Sequence, residues 1–337
     1  MRAARIHRYG GPDELVVEEV PEPRCGPDEL LVDVHASSVN PVDFKIRSGG
    51  QRAVVWLSLP AALGLDVSGV VREVGAKVRG FAVGDAIWSS PSHRRMGTYA
   101  ERLAVRASEA APKPAGLTHA EAASMPLVGL TAWDALVGAC DLRPGERVLI
   151  QAGSGGVGSF AIQLAKHLGA SEILTTCSPR NFELVRSLGA DRPVDYRTED
   201  FEEVAAGVDV ILESLGGEHV PRALRTVRRG GRVAAITAGL PARTEKHGPA
   251  LGLASMVGAT AWRMACSALT RGVKLRFVTR TPSGANLRKI GALVDAGALR
   301  PVIDRRFPLD RIAEAHRYVE TGRARGKVVI DVRPEPP

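Results

Sequence analysis

The sequence predicts an α/β fold in two parts: a doubly wound parallel sheet in the middle of the chain and a β-rich domain before it. Three observations carry this. A glycine turn separates a strand-like from a helix-like run at residues 147–169, strands and helices alternate from there to about residue 280, and residues 1–119 carry short strand signals punctuated by Pro and Gly.

In the glycine turn the apolar run Val148, Leu149, Ile150 precedes Gly153, Gly155 and Gly158 at G-x-G-x-x-G spacing. Val157, Ala161, Leu164, Ala165 and Leu168 then fall on one helical face, and Gly169 supplies the stop. Gly153 allows the tight turn, Gly155 lets the backbone approach a pyrophosphate, and Gly158 permits close packing of helix on strand. Ser154, Gly155, Gly156, Val157 and Gly158 would offer that anion free N–H groups at a helix N-terminus. The unit reads as a dinucleotide-binding βα element.

Before it, strand signals lie at 15–20, 30–36, 69–74 and 99–105, and residues 80–88 read as an architectural hairpin with its corner at Gly84 and Asp85. Thr118 and Glu121 form a capping box that opens a helical stretch through Thr131, Trp133 and Leu136, the entry to the second domain. Strands are expected at 173–177, 208–213 and 232–237, with helices at 181–188 and through Ala223 and Val227. Residues 240–271 mix loop and amphipathic helix, and 248–260 reads as a flexible cover over the site. A further strand at 272–278 would close the parallel sheet, after which a helix (287–296), a short strand (301–304), a helix (312–321) and a last strand (327–332) return the chain to the first domain. The expected domains are therefore 1–119 with 280–337, and 120–279.

With 337 residues, 45% of them hydrophobic, the chain can bury a large core. No apolar run approaches the roughly 20 residues of a bilayer span, and the first residues lead into strand-like sequence without a signal-peptide core. A cytoplasmic protein without a membrane partner is expected. The net charge of +8 comes from arginines interleaved with 37 acidic residues, and aromatics are 4%, so a nucleic-acid surface is not expected. Cys25, Cys140, Cys177 and Cys266 are scattered without a C-x-x-C pair, which argues for reduced, structural thiols.

In NAD-specific sites a carboxylate ends the second strand of the sheet, but here that position reads Thr-Thr-Cys-Ser-Pro-Arg. Ser178 can donate to a phosphate, Arg180 offers a planar fork of donors, and Tyr196 can lie beside the same group, so NADPH is expected over NADH. The His, Cys and Glu residues form no three-ligand set for zinc, and no metal is expected.

With these motifs in hand, the chain resembles the medium-chain dehydrogenase/reductase superfamily in its zinc-free quinone oxidoreductase branch, most of all its NADPH-dependent reticulon-interacting group. The segments are ASSVNPVD (36–43), GLDVSGVV (64–71), GTYAE (97–101), GLTAW (129–133), AGSGGVG (152–158), LGAD (188–191), RPVID (300–304) and ARGKVVI (324–330). The resemblance implies a GroES-like catalytic domain, a Rossmann domain and an active site in the cleft between them. Zinc-dependent relatives carry a Cys after the second core strand and a Gly-His-Glu further on; the corresponding motifs here are Val39-Asn40 and Gly64-Leu65-Asp66. The resemblance also implies that Asn40, Thr131 and the Thr237 and Ala238 backbone lie near the nicotinamide, and that Ser214 and the strand containing Phe277 border the cofactor.

The expected activity is hydride transfer from NADPH to a quinone or an α,β-unsaturated carbonyl. A nucleotide-binding protein without turnover and an enoyl reductase for a carrier-bound intermediate are the alternatives. Many quinone reductases carry Tyr two residues after the Asp of N-x-x-D, and here Lys45 stands there. Lys45 is the candidate to stabilise charge on the carbonyl oxygen, with Asn40 and Asp43 beside it on one loop; the alternative is a solvated Lys45 and protonation by water. The apolar run 273–278, a sheet edge in need of cover, leads to the expectation of a homodimer.

Overall fold

The computed structural model describes residues 1–333; positions 334–337, the end of the expected 280–337 segment, lie outside the described residues. The chain divides into two units, Met1–Leu130 with Thr281–Pro337, and Thr131–Arg280.

The strands before the glycine turn are β1 (Arg2–Ile6), β2 (Val16–Glu19), β3 (Glu29–Val39), β4 (Ala61–Ala62), β5 (Val67–Val74), β6 (Ala86–Ser89), β7 (Arg102–Arg106) and β8 (Ala110–Pro112). The middle of the chain contributes β9 (Arg147–Ile150), β10 (Glu172–Cys177), β11 (Arg192–Asp195), β12 (Val208–Glu213), β13 (Val227–Ala235) and β14 (Lys274–Phe277), and the end adds β15 (Ile303–Pro308) and β16 (Lys327–Asp331). The helices used below are α1 (Pro41–Arg47), α2 (His119–Ala123), α3 (Pro126–Trp133), α4 (Gly156–His167), α5 (Phe182–Ser187), α6 (Phe201–Val204), α7 (His219–Thr226), α8 (Leu240–His247), α9 (Pro249–Arg271), α10 (Gly284–Asp295) and α11 (Ile312–Glu320).

The first unit is organised on β3, whose sequence ELLVDVHASSV is almost continuously buried and which pairs with β16, β5 and β7. The sheet runs β15-β16-β3-β5-β6-β8, and β7 also pairs with β3. The β16–β3 pairing sets Val328 opposite Val39, which brings the end of the chain beside residue 40. Ala36, Ala120, Ala123 and Val329 form a small core where α2 covers this sheet. The expected corner at Gly84 is present, with φ of 94°, between the antiparallel strands β5 and β6.

The second unit is a parallel sheet in the order β11-β10-β9-β12-β13-β14. Counted within the unit this is 3-2-1-4-5-6, the doubly wound order whose direction reverses between β9 and β12 and opens a crevice at the carboxyl ends of those strands. Its core gathers Leu149, Leu174, Ile211, Val233 and Leu275, one from each of five strands, with Val220 and Ala223 from α7. Cys25, Cys140, Cys177 and Cys266 are free thiols, and burial pushes that of Cys140 up to about 12. No helix of the described residues is long and apolar enough to cross a membrane.

Three local expectations need correction. Residues 248–260 are not a flexible cover: α9 occupies them, entered by Gly248 at φ 75° and Pro249 in its first turn. Gly252 serves packing there, since a Cβ would meet the Thr244 nitrogen of α8 at 2.8 Å. Asn40, Asp43 and Lys45 are not on a loop, because Asn40 is the N-cap of α1, Pro41 stands in its first turn and Asp43 is at N3. The stretch through Val227 is not helical at its end, since α7 stops at Thr226 and Val227 opens β13.

Candidate functional site

Two groups of polar residues stand out, one in each unit. In the second unit, Ala152 takes φ of 54° and ends β9, and the glycines follow. A Cβ on Gly153 would lie 1.9 Å from Thr175 Oγ1 of β10, and one on Gly158 would lie 2.3 Å from the Ala152 carbonyl oxygen. These two glycines are required by the protein's own packing. Gly155 differs: the nearest atom to its Cβ position is the Ala152 oxygen at 3.4 Å, so packing does not require a glycine there. Gly155 is also the N-cap of α4 with no side-chain cap, which leaves the first N–H groups of a twelve-residue helix for an anion.

Polar atoms ring this turn without partners of their own. Gln151, 1% exposed, has neither its side-chain nitrogen nor its oxygen bonded, and Glu213 Oε2 and Asn181 Oδ1 are likewise buried and unpaired among the described residues. Gln151, Asn181 and Glu213 lie at or just after the carboxyl ends of β9, β10 and β12. Asn181 Nδ2 donates to Ser154 Oγ at 2.9 Å, and Ser214 Oγ donates to the Gln151 carbonyl at 3.1 Å. A pyrophosphate fits this geometry.

At the ends of β10 and β11, Ser178 and Tyr196 share a hydrogen bond of 3.3 Å, and Arg197 lies over the Tyr196 ring at 5.7 Å. The bond with Ser178, then that with Arg197, hold the Tyr196 phenol below its ordinary pKa. Arg180 is exposed in the turn after Ser178, so cations flank the serine and the tyrosine. Thr237 and Ala238 follow β13, Phe277 is the last residue of β14 packed against the core, and Thr131 lies in α3 with 7% exposure.

In the first unit, Asn40 and Asp43 are each 1% exposed. Asp43 Oδ2 accepts from the Asn40 backbone N–H at 2.8 Å and from the Tyr99 hydroxyl at 2.9 Å. Burial raises the Asp43 carboxyl to about 7, against those two bonds. The Asn40 side chain is spent inside the protein: Nδ2 donates to Asp66 Oδ2 at 2.8 Å, and Oδ1 accepts from Lys327 Nζ. At the other end of α1, Arg47 donates from Nη1 to His316 Nδ1 at 2.9 Å and from Nη2 to Glu320 at 2.6 Å. Because a guanidinium only donates, His316 accepts there and is neutral, and burial followed by the Arg47 charge lowers its pKa to about 3. Lys45 stands between these two anchors, half-buried, and desolvation lowers its ammonium below the usual lysine value.

The reading of single residues missed Gln151, Asn181, Glu213 and Arg197, and gave Asp66, Tyr99 and Lys327 no role although GLDVSG, GTYAE and ARGKVVI contain them. Among the described residues no group of three or more His, Cys, Asp or Glu is placed to hold a metal ion.

Comparison with known proteins agrees with this architecture. A family model described as "Alcohol dehydrogenase GroES-like domain" matches residues 26–115, and one described as "Zinc-binding dehydrogenase" matches residues 188–330. The chain is 39% identical to a mouse protein named "NAD(P)H oxidoreductase RTN4IP1, mitochondrial", over 91% of this chain and 82% of that one. It is 35% identical to "NADPH-dependent alkenal/one oxidoreductase, chloroplastic" of Arabidopsis thaliana, over 98% and 79%. Its fold superposes on the quinone oxidoreductase of Coxiella burnetii with a TM-score of 0.85 at 30% identity, covering 99% of each chain. These names also correct the expected location: mouse, human, bovine and zebrafish relatives are mitochondrial and others chloroplastic, so the cytoplasmic reading does not stand. Composition and folded core do not encode a compartment, which receptors read from targeting segments. The chain belongs to the medium-chain dehydrogenase/reductase superfamily, beside its NAD(P)H oxidoreductases.

Proposed function

We propose that this NADPH-dependent oxidoreductase transfers hydride to a quinone or to the β-carbon of an α,β-unsaturated carbonyl, an enone or an enoyl thioester. The carrying observation is the open Gly155 position at the reversal point of the sheet, where it caps the twelve-residue α4 without a side-chain cap. The names of relatives that act on quinones and alkenals or alkenones support the acceptor class.

NADPH supplies the hydride when bound. In this reading the backbone from Ser154 to Gly158 holds the pyrophosphate, and Ser178, Arg180 and Tyr196 hold the 2′-phosphate. Thr131, Ser214, Thr237, Ala238 and Phe277 border the rest of the cofactor. Lys45 is the group assigned to stabilise the negative charge that develops on the acceptor carbonyl, and its lowered pKa would let it pass on a proton. Asn40 and Asp43 hold the lysine in place through the first turn of α1.

NADPH consumption with a panel of quinones, enones and enoyl thioesters tests this. Turnover of at least one class is expected; a measurable NADPH Kd with no turnover overturns the acceptor assignment and leaves a nucleotide-binding protein. Lys45→Met at saturating NADPH is expected to lower kcat more than about fivefold, or roughly 1 kcal/mol, and a smaller change removes Lys45 from the chemistry.

We also infer a homodimer through the edge strand β14, where Leu275 is buried but, among the described residues, the outer rim of the sheet carries no further strand. A monomer at all concentrations in sedimentation would overturn it.

A further inference from the structure

The first unit holds a lysine where lysines are seldom found. Lys327 is 5% exposed, and its Nζ donates to the Val39 carbonyl at 3.2 Å, to Asn40 Oδ1 at 2.5 Å and to Asp66 Oδ2 at 3.3 Å. All three partners are acceptors, which matches the three N–H donors of an ammonium; a neutral amine would turn its lone pair on one of them. The Asn40 amide is not free to swap ends, because its nitrogen faces two acceptors, Asp66 Oδ2 at 2.8 Å and the Ser38 carbonyl at 3.4 Å. Asp66 is 0% exposed and receives Ser38 Oγ at 2.7 Å and the Leu127 N–H at 2.7 Å as well.

The partners of this ammonium come from two motifs, Val39-Asn40 and Gly64-Leu65-Asp66, which the family resemblance sets against the Cys and the Gly-His-Glu of zinc-dependent relatives. One matched family description names zinc, yet the donor set does not fit that ion: an amide, a main-chain carbonyl and one carboxylate remain, and an ammonium fills the space among them. Those two motifs thus meet around a fixed cation in the form of a side chain. We propose that the Lys327 ammonium is a positioning residue that fixes the first turn of α1, residues 40–45, for hydride transfer.

The physical route is short. Lys327 orients the Asn40 side chain, and the Asn40 backbone N–H is held by Asp43 at N3 of α1. The direction in which α1 leaves β3, and with it the place of Lys45, depends on that joint. Burial lowers the Lys327 pKa, while the charges of Asp66 and Asp43 hold it up. The ammonium therefore needs its carboxylates, and Asp66 needs the ammonium.

The inference rests on the proposed reading of residues 40–45 as part of the reaction site. The test compares the wild type with Lys327→Met and Lys327→Met/Asp66→Asn. Expected for Lys327→Met is a lowered Tm, because a buried carboxylate loses its cation. The double variant should recover at least half of that loss and bind NADPH within about twofold of the wild type. It should still transfer hydride at least tenfold more slowly in single turnover with a quinone or enone, and exchange its amide hydrogens at 40–47 at least tenfold faster. A double variant that folds, with transfer and exchange both within twofold of wild type, overturns the proposal. An independent arm uses the wild type alone: ¹⁵Nζ-lysine NMR should show a slowly exchanging ammonium at pH 8, and a neutral amine for Lys327 overturns it too. If the wild type binds NADPH but reduces no acceptor of the panel, the reading of the reaction falls, and the exchange and NMR arms still decide whether Lys327 fixes the turn.

Discussion

The glycine turn of the second unit and the buried cluster of the first do opposite things with the same chain. Between β9 and α4 the site is made of backbone: Gly153 and Gly158 close the packing and Gly155 leaves room, all within six positions. Around Lys327 it is made of side chains from residues 38, 40, 43, 66, 99 and 327, brought together by strand pairing. A backbone site tolerates most side-chain changes nearby but not an added Cβ. A side-chain cluster tolerates no loss of a partner, because each buried charge depends on another.

The largest expected effect tests that dependence. Asp66→Leu leaves the Lys327 ammonium buried without its carboxylate and is expected to cost about 3–5 kcal/mol in urea denaturation. A loss below roughly 1 kcal/mol would mean that the cluster is not held by its charges. At the exposed rim of the nucleotide site a side chain should matter most for the ligand. Arg180→Ala is expected to lower the preference for NADPH over NADH by about tenfold to a hundredfold, or roughly 1.5–3 kcal/mol. An unchanged ratio of the two Kd values would remove Arg180 from the 2′-phosphate.

The glycines separate packing from ligand space. Gly158→Ala forces a Cβ against the Ala152 carbonyl and should cost about 1–3 kcal/mol of stability along with NADPH binding. Gly155→Ala should leave the Tm near wild type and weaken NADPH alone. Equal stability losses in the two variants would break the distinction drawn between them.

The last test is a pH slope. The Asp43 carboxyl is raised to about 7 in the fold from an ordinary 3.8, so the native state binds that proton more tightly than the unfolded chain. Its contribution is therefore greatest at low pH and is lost as pH rises between about 4 and 7, by at most about 1.4 kcal/mol per unit. The stability difference between wild type and Asp43→Asn, measured by urea denaturation across that range, should fall with this sign. A flat or rising difference would show that Asp43 ionises as an ordinary carboxylate.

Local order was legible in the sequence wherever the physical cause was local. Strand period, capping and glycine spacing act over a few residues, so β9, the turn and α4 could be read directly, and the missing carboxylate after β10 pointed to a phosphate. The same locality misled at 248–260, where glycines suggested a mobile cover. Only the packing of α9 on α8 shows that Gly252 is there for close approach. At Asn40, the N-P-V-D pattern is a helix-start signal, with Pro41 in the first turn and Asp43 at N3, and it opens α1 where a loop was expected.

The sequence by itself determined the doubly wound sheet, the glycine turn and the resemblance to quinone oxidoreductases, because each rests on residues that are neighbours along the chain. Tertiary structure decided what Asn40, Asp66 and Lys327 are for. Val328 pairs with Val39 across the sheet, and that pairing alone carries the Lys327 ammonium to two segments it is 287 and 261 positions away from. Burial then converts ordinary polar residues into groups that must find charged partners, and no spacing along the chain encodes such a partner.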